Sequence, residues 1–185
     1  MRQQAATAHG GTATALLAPV MLAACVGGTP SPEAYELANI YADNVVPKST
    51  PARFTRAFER YCLDDATGEI DARLRADDYV PVPRRAGARV QSWVVDDRRP
   101  AVMLLDGGAG CSVAAEARTG QTTGVRALVA RRFPGATPID PATVGADVEQ
   151  AWAVPDKTGS ILFTQRIGTP HTPSRLVLGI LRGNG

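Results

Sequence analysis

At Arg89 the hydrophobic period of this sequence changes. Before it, apolar residues recur at helical spacing. Thr50-Pro51 is a cap-and-proline start, and Phe54, Ala57, Phe58, Tyr61 and Cys62 follow at i, i+3, i+4, i+7 and i+8, while Arg53, Arg56, Glu59 and Arg60 face away. From Arg89 the period is two, the spacing a half-buried strand requires. Arg89 to Val95 and Ala101 to Leu105 are separated by the hairpin-like Asp96-Asp97-Arg98-Arg99-Pro100. Asp106-Gly107-Gly108-Ala109-Gly110 then turns the chain into Cys111 to Ala117.

The remaining elements follow from the same signals. Ser31-Pro32 opens a helix that runs to about Val45, with Leu37, Ile40, Tyr41 and Val45 on one stripe and Pro47 as its stop. A short helix is expected over Glu69 to Arg75, before the turn-like Tyr79-Val80-Pro81-Val82-Pro83. An amphipathic helix is expected over Thr122 to Phe133, with Val125, Leu128, Val129 and Phe133 inward. Strands are expected over Asp147 to Val154, Ser160 to Ile167 and Arg175 to Leu181. Short connections favour antiparallel neighbours. The expected fold is therefore α+β: an antiparallel sheet of about six strands, with N-terminal helices and one central helix packed on it.

The first 24 residues are of another kind. Arg2 is their only charge, and Ala13 to Ala24 is an apolar run too short for a bilayer, which needs roughly 20 residues. A weakly basic end, an apolar centre and small residues at the close are the layout of a signal peptide. Leu22-Ala23-Ala24-Cys25 resembles the lipobox of bacterial lipoproteins. The resemblance implies that the Cys25 thiol receives a diacylglycerol, that the chain is cut before it, and that its new amino end is acylated. Several acyl chains give stable anchoring where one is marginal. Val26 after the cysteine, where aspartate would signal retention, resembles the enterobacterial pattern for outer-membrane delivery. The plain alternative is an ordinary signal peptide cut near Ala24, with Cys25 incidental. The chain thus divides into a signal peptide (1–24), a lipid-anchored Gly/Pro/Ser/Thr tether (25–32) and one globular domain (33–185).

The balance of 20 Lys and Arg against 18 Asp and Glu, a formal net charge of +2, falls to +1 once Arg2 is removed. That leaves no basic excess for binding nucleic acid by phosphate neutralisation. The arginine bias, with Lys48 and Lys157 the only lysines, reads as genomic composition.

Cys62 and Cys111 are the cysteines that remain after the anchor. An even pair in an exported chain points to a disulfide, and two buried unpaired thiols are the other reading. A disulfide closing a loop of about 50 residues stabilises a fold by roughly 4 kcal/mol on the chain-entropy account. A catalytic reading pairs Cys111, in Gly108-Ala109-Gly110-Cys111-Ser112, with His171, the one histidine of the mature chain. The adjacent carboxylates Asp64-Asp65, Asp77-Asp78 and Asp96-Asp97 read as solvated turn acids. One histidine and two cysteines in separate elements match no compact zinc spacing. Thr119-Gly120-Gln121-Thr122-Thr123-Gly124 lacks the Gly-Lys-Ser/Thr ending of a phosphate loop and reads as a loop with a helix cap. Trp93 and Trp152 lie in strand patterns and read as packing residues. No catalytic residue, metal site or cofactor is assigned.

Phe54…Phe58…Cys62-Leu63, Pro100-Ala101-Val102-Met103-Leu104, Cys111-Ser112-Val113, Arg118-Thr119-Gly120-Gln121-Thr122, Phe133-Pro134-Gly135-Ala136 and Pro173-Ser174-Arg175-Leu176 together resemble a group of small uncharacterised proteobacterial lipoproteins. The resemblance implies an envelope lipoprotein and carries no site residues. The functional expectation is a protein held to the membrane through Cys25. It would sit on the outer membrane facing the periplasm and bind an envelope protein or small ligand without catalysis. The alternative is an envelope hydrolase or transferase using Cys111 with His171, or a carboxylate pair.

Overall fold

The computed structural model describes residues 31–32, 36, 46–63, 69–156, 158–168 and 174–183. The expected signal peptide, Cys25, most of the expected tether and of the first expected helix, Asp64-Asp65 and His171 lie outside the described residues.

Helix α1, Pro51–Phe58, starts as its sequence requires. Thr50 is extended, its Oγ1 accepts from the Arg53 amide at 3.3 Å, and Pro51 occupies the first turn. Phe54, Ala57 and Phe58 are buried. The helix runs on as a π-helical turn, Glu59–Leu63, which buries Tyr61 and Cys62. Such a widened turn shifts the helical phase by one residue, and here it keeps two adjacent side chains on the inner side. Helix α2, Ile70–Ala76, buries Ile70 and Leu74. Helix α3, Gln121–Arg132, buries Val125, Leu128 and Val129. Its first residue ties it to the preceding loop: the buried Gln121 side chain accepts from the Arg118 amide at 2.8 Å and donates to the Glu116 carbonyl at 3.0 Å.

The strands are β1 (Val80–Pro81), β2 (Val90–Val94), β3 (Ala101–Leu105), β4 (Gly110–Glu116), β5 (Thr137–Ile139), β6 (Val148–Ala153), β7 (Ile161–Ile167) and β8 (Arg175–Leu181). They form one sheet in the order β1-β2-β3-β4-β8-β7-β6-β5, antiparallel throughout. The α+β class is as expected, but the sheet has eight strands rather than about six. The two additional strands are its edges, two and three residues long. Each contains a proline opposite a tryptophan, Pro81 facing Trp93 and Pro138 facing Trp152. Proline is tolerated at a sheet edge and blunts it against further pairing. Strands this short carry no readable alternation.

Alternation assigns the two faces of the sheet. Cys111, Val113 and Ala115 of β4 and Leu176, Leu178 and Ile180 of β8 join the core beneath the helices, together with Phe54, Phe58, Leu74 and Leu128. The intervening residues form the other face. There the Phe163 ring lies over Gly179: a Cβ at that glycine would stand 2.4 Å from the ring. Val90 (42 % exposed) and Ile167 (47 %) are the exposed large hydrophobics among the described residues.

Cys62 and Cys111 form a disulfide, Cα to Cα 5.3 Å, tying the π turn to the central strand β4. This is the expected pairing of a helix end with a strand start.

Candidate anion-binding cleft

A cleft of about 420 Å³ opens where α1 meets the β2–β3 turn. One wall is the outer side of α1. Because Phe54, Ala57 and Phe58 point inward, Arg53, Arg56 and Arg60 are left on the opposite side and line the cleft. The facing wall is the turn after β2. There Asp96 Oδ1 accepts from the Arg98 and Arg99 amides at 2.8 and 2.7 Å, and its Oδ2 accepts from Arg99 Nε at 2.7 Å. This is the local side-chain-to-backbone bonding that aspartate brings to turns. Arg99 Nη1 also donates to the Asp77 carbonyl at 2.9 Å, joining the turn to the end of α2. The Lys48 amide donates to the Asp97 carbonyl, so the segment just ahead of α1 is tied to this turn.

Tyr61 and Tyr79 form the base. Their rings meet edge to face at 5.4 Å. Arg60 lies over Tyr61 at 5.7 Å and Arg99 over Tyr79 at 5.6 Å. The Tyr79 hydroxyl donates to the Pro100 carbonyl at 3.0 Å. The Tyr61 hydroxyl donates to Asp77 Oδ2 at 2.6 Å, and Arg60 grips the same carboxylate from two nitrogens at 2.7 and 2.8 Å.

These contacts fix the charges. The Tyr61 hydroxyl and the Arg60 guanidinium hold the Asp77 carboxyl below its ordinary value. Burial, then the bond to Asp77, pushes Tyr61 up to about 12. Burial likewise raises Tyr79. Burial works against the charged form of Asp96, but the Arg99 side chain and the two turn amides outweigh it and keep its pKa lowered. The base is therefore neutral phenol at ordinary pH, and the Asp77 and Asp96 carboxylates stay ionised beside Arg60 and Arg99. Among the described residues five arginines line the cleft, and Asp77, Asp96 and Asp97 are the carboxylates in contact with them, leaving a surplus of two positive charges. The surplus resides on Arg53 and Arg56, whose guanidinium groups have no partner among the described residues.

A second cleft, also about 420 Å³, lies between α2 and the β3–β4 connection. Its polar side chains are largely engaged: Arg84 with Asp106 at 2.6 Å, Gln91 with the Val82 and Ser92 carbonyls, and Arg182 with the Gly108 and Cys62 carbonyls. Trp93 at its edge is buried in the core beneath the Arg75 guanidinium, 5.0 Å from the ring, and its Nε1–H has no partner among the described groups. Trp152 packs against the core from a partly buried position. Both tryptophans are packing residues, as expected.

The structure places Cys111 in the disulfide, where it has no thiolate to act as a nucleophile. Asp77 and Asp96 do more than the solvated role expected for turn acids, since they are the anchors of Arg60 and Arg99. Asp97 stays exposed, 3.8 Å from Arg98. Among the described residues no three His, Cys, Asp or Glu side chains gather as a metal site, and no helix is long and apolar enough to cross a membrane. The cleft itself was missed at the level of sequence. Its signal lay in Arg53, Arg56 and Arg60, which share one side of a helix, and in the acid-rich turn at Asp96. Only the fold brings the two segments together.

Compared with protein-family models, with curated proteins and with solved structures, the chain matches none.

Proposed function

We propose that this chain is a cell-envelope lipoprotein. On this reading it is held through lipid on Cys25 to the outer membrane, faces the periplasm, and carries a folded domain that binds an anionic partner or ligand without catalysis. The observation that carries the reading is the Cys62–Cys111 disulfide. A covalently bridged small domain suits an oxidising compartment beyond the cytoplasm, in keeping with the signal-peptide layout and the lipobox-like Leu22-Ala23-Ala24-Cys25. The same bond removes the thiol on which the Cys111–His171 alternative depends. The cleft supplies the binding surface, with fixed positive charge over an aromatic base.

The test is the intact mass of protein extracted from membranes without reductant, with and without a thiol-alkylating reagent. The expected mass is that of a chain beginning at Cys25 plus diacylglyceryl and acyl groups, with no alkylation until reduction. An unprocessed chain would refute the anchor. A cysteine that alkylates in the folded protein would reopen the thiol-enzyme alternative, with Cys111 the first residue to replace.

A further inference from the structure

We infer that the cleft takes a phosphate group, an inference that rests on the binding reading above and deepens it. Arg53 and Arg56 stand three residues apart on one side of α1, exposed, and with no carboxylate to neutralise them among the described residues. Arg98 faces them from the β2–β3 turn, mostly exposed and only 3.8 Å-paired with Asp97. A single carboxylate is matched by one guanidinium. A phosphate monoester carries close to two charges at neutral pH and several acceptor oxygens, and it calls for two forks. Arg60 and Arg99 cannot turn to serve it, because Asp77 and Asp96 hold them at 2.7 to 2.8 Å. They act as a rigid back wall that adds positive potential while the two unpaired arginines make the contacts. The apolar base of Ala57, Tyr79 and Pro100 accommodates the carbon skeleton that bears the phosphate.

The Lys48 amide, just ahead of α1, is bonded to the turn that carries Arg98 and Arg99, so backbone also joins the two walls of the cleft. A lipid head group and a soluble phosphate ester present the same chemistry there.

The test uses the full chain purified in a neutral detergent and titrated calorimetrically with inorganic phosphate. Wild type is compared with R53Q/R56Q and with R85Q/R89Q, which removes the same charge from exposed positions outside the cleft. Saturable binding is expected, weakened by added salt. It should fall roughly ten-fold or more in R53Q/R56Q, as expected for the loss of charge-assisted hydrogen bonds, and stay unchanged in R85Q/R89Q. Micelles doped with phosphatidylglycerol then separate the sources. Competition with phosphate marks a lipid head group, and no competition marks a soluble ester; either supports the inference. Absence of saturable phosphate binding by wild type, or equal losses in the two variants, overturns it. The intact-mass experiment is independent: a chain without lipid that still binds phosphate through Arg53 and Arg56 would refute the anchor and leave the cleft standing.

Discussion

Arg60 and Arg99 differ from Arg53 and Arg56 in what surrounds them, although all four line one cleft. Asp77 accepts from both Arg60 and the Tyr61 hydroxyl, and Asp96 closes on Arg99 while capping its own turn. The Arg60–Asp77 pair joins the π turn to the end of α2, and Arg99, held locally by Asp96, reaches the Asp77 carbonyl and so joins the β2–β3 turn to the same point. Arg53 and Arg56 join nothing among the described residues. The same side chain thus has two uses. A guanidinium held by a carboxylate and bridging two segments is part of the fold, and an exposed one without a partner contributes little to stability and is available to a ligand.

That contrast can be broken along α1, from the largest expected effect to the smallest. Phe54 sits beside Arg53 but points into the core, fully buried. Phe54→Ala is expected to cost about 3–5 kcal/mol in chemical denaturation. C62S/C111S removes the covalent link between the π turn and β4, across a sequence separation of 49. It is expected to cost about 4 kcal/mol by the loop-entropy account, and a cost near zero would show that packing alone holds the turn. Asp77→Ala leaves the half-buried Tyr61 hydroxyl and Arg60 without their acceptor. The Arg60 side chain is 53 % exposed and that of Asp77 24 %, so solvent screens the ion pair, and the expected loss is about 1–2 kcal/mol, mostly from the phenol.

Acid sharpens the same point. Asp77 and Asp96 have folded pKa values below the ordinary 3.8. The stability they contribute is present above that value and is lost as pH falls through the lower folded values. Asp156 behaves alike. Burial opposes its charge, but hydrogen bonds from Ser160 and Thr158 lower it to about 2. The melting temperature is expected to hold from pH 6 to about 4 and to drop toward pH 2, with a shallower drop in Asp77→Asn. Equal slopes in the two proteins would remove Asp77 from the account.

Much of this architecture is written in local pattern. Ala101–Leu105 and Arg175–Leu181 begin and end where their apolar runs and flanking turn residues place them. Helix α3 is displaced by a single residue, because left-handed Gly120 is its N-cap and the Gln121 side chain turns back to the preceding loop. The edge strands β1 and β5 were illegible for a physical reason. Val80–Pro81 and Thr137–Ile139 are strands only because β2 and β6 offer them partners, and a proline reads as a turn when its neighbour across the sheet is unknown. The cleft was illegible on the same ground. Arg60 and Asp77 are 17 residues apart and Arg99 and Asp77 are 22, so no spacing rule joins them. An arginine surplus that looked compositional becomes specific when the fold gives some of those arginines partners and leaves others without.

The comparison is tested most directly by unfolding titrations of R53Q/R56Q and Arg60→Gln in one buffer. R53Q/R56Q is expected to superpose on wild type to within about 0.5 kcal/mol, as surface substitutions without partners do. Arg60→Gln, which breaks a two-pronged bond to Asp77, is expected to lose about 1 kcal/mol. The reverse order, with R53Q/R56Q destabilised and Arg60→Gln unchanged, would contradict the division of the cleft into structural and ligand-facing arginines.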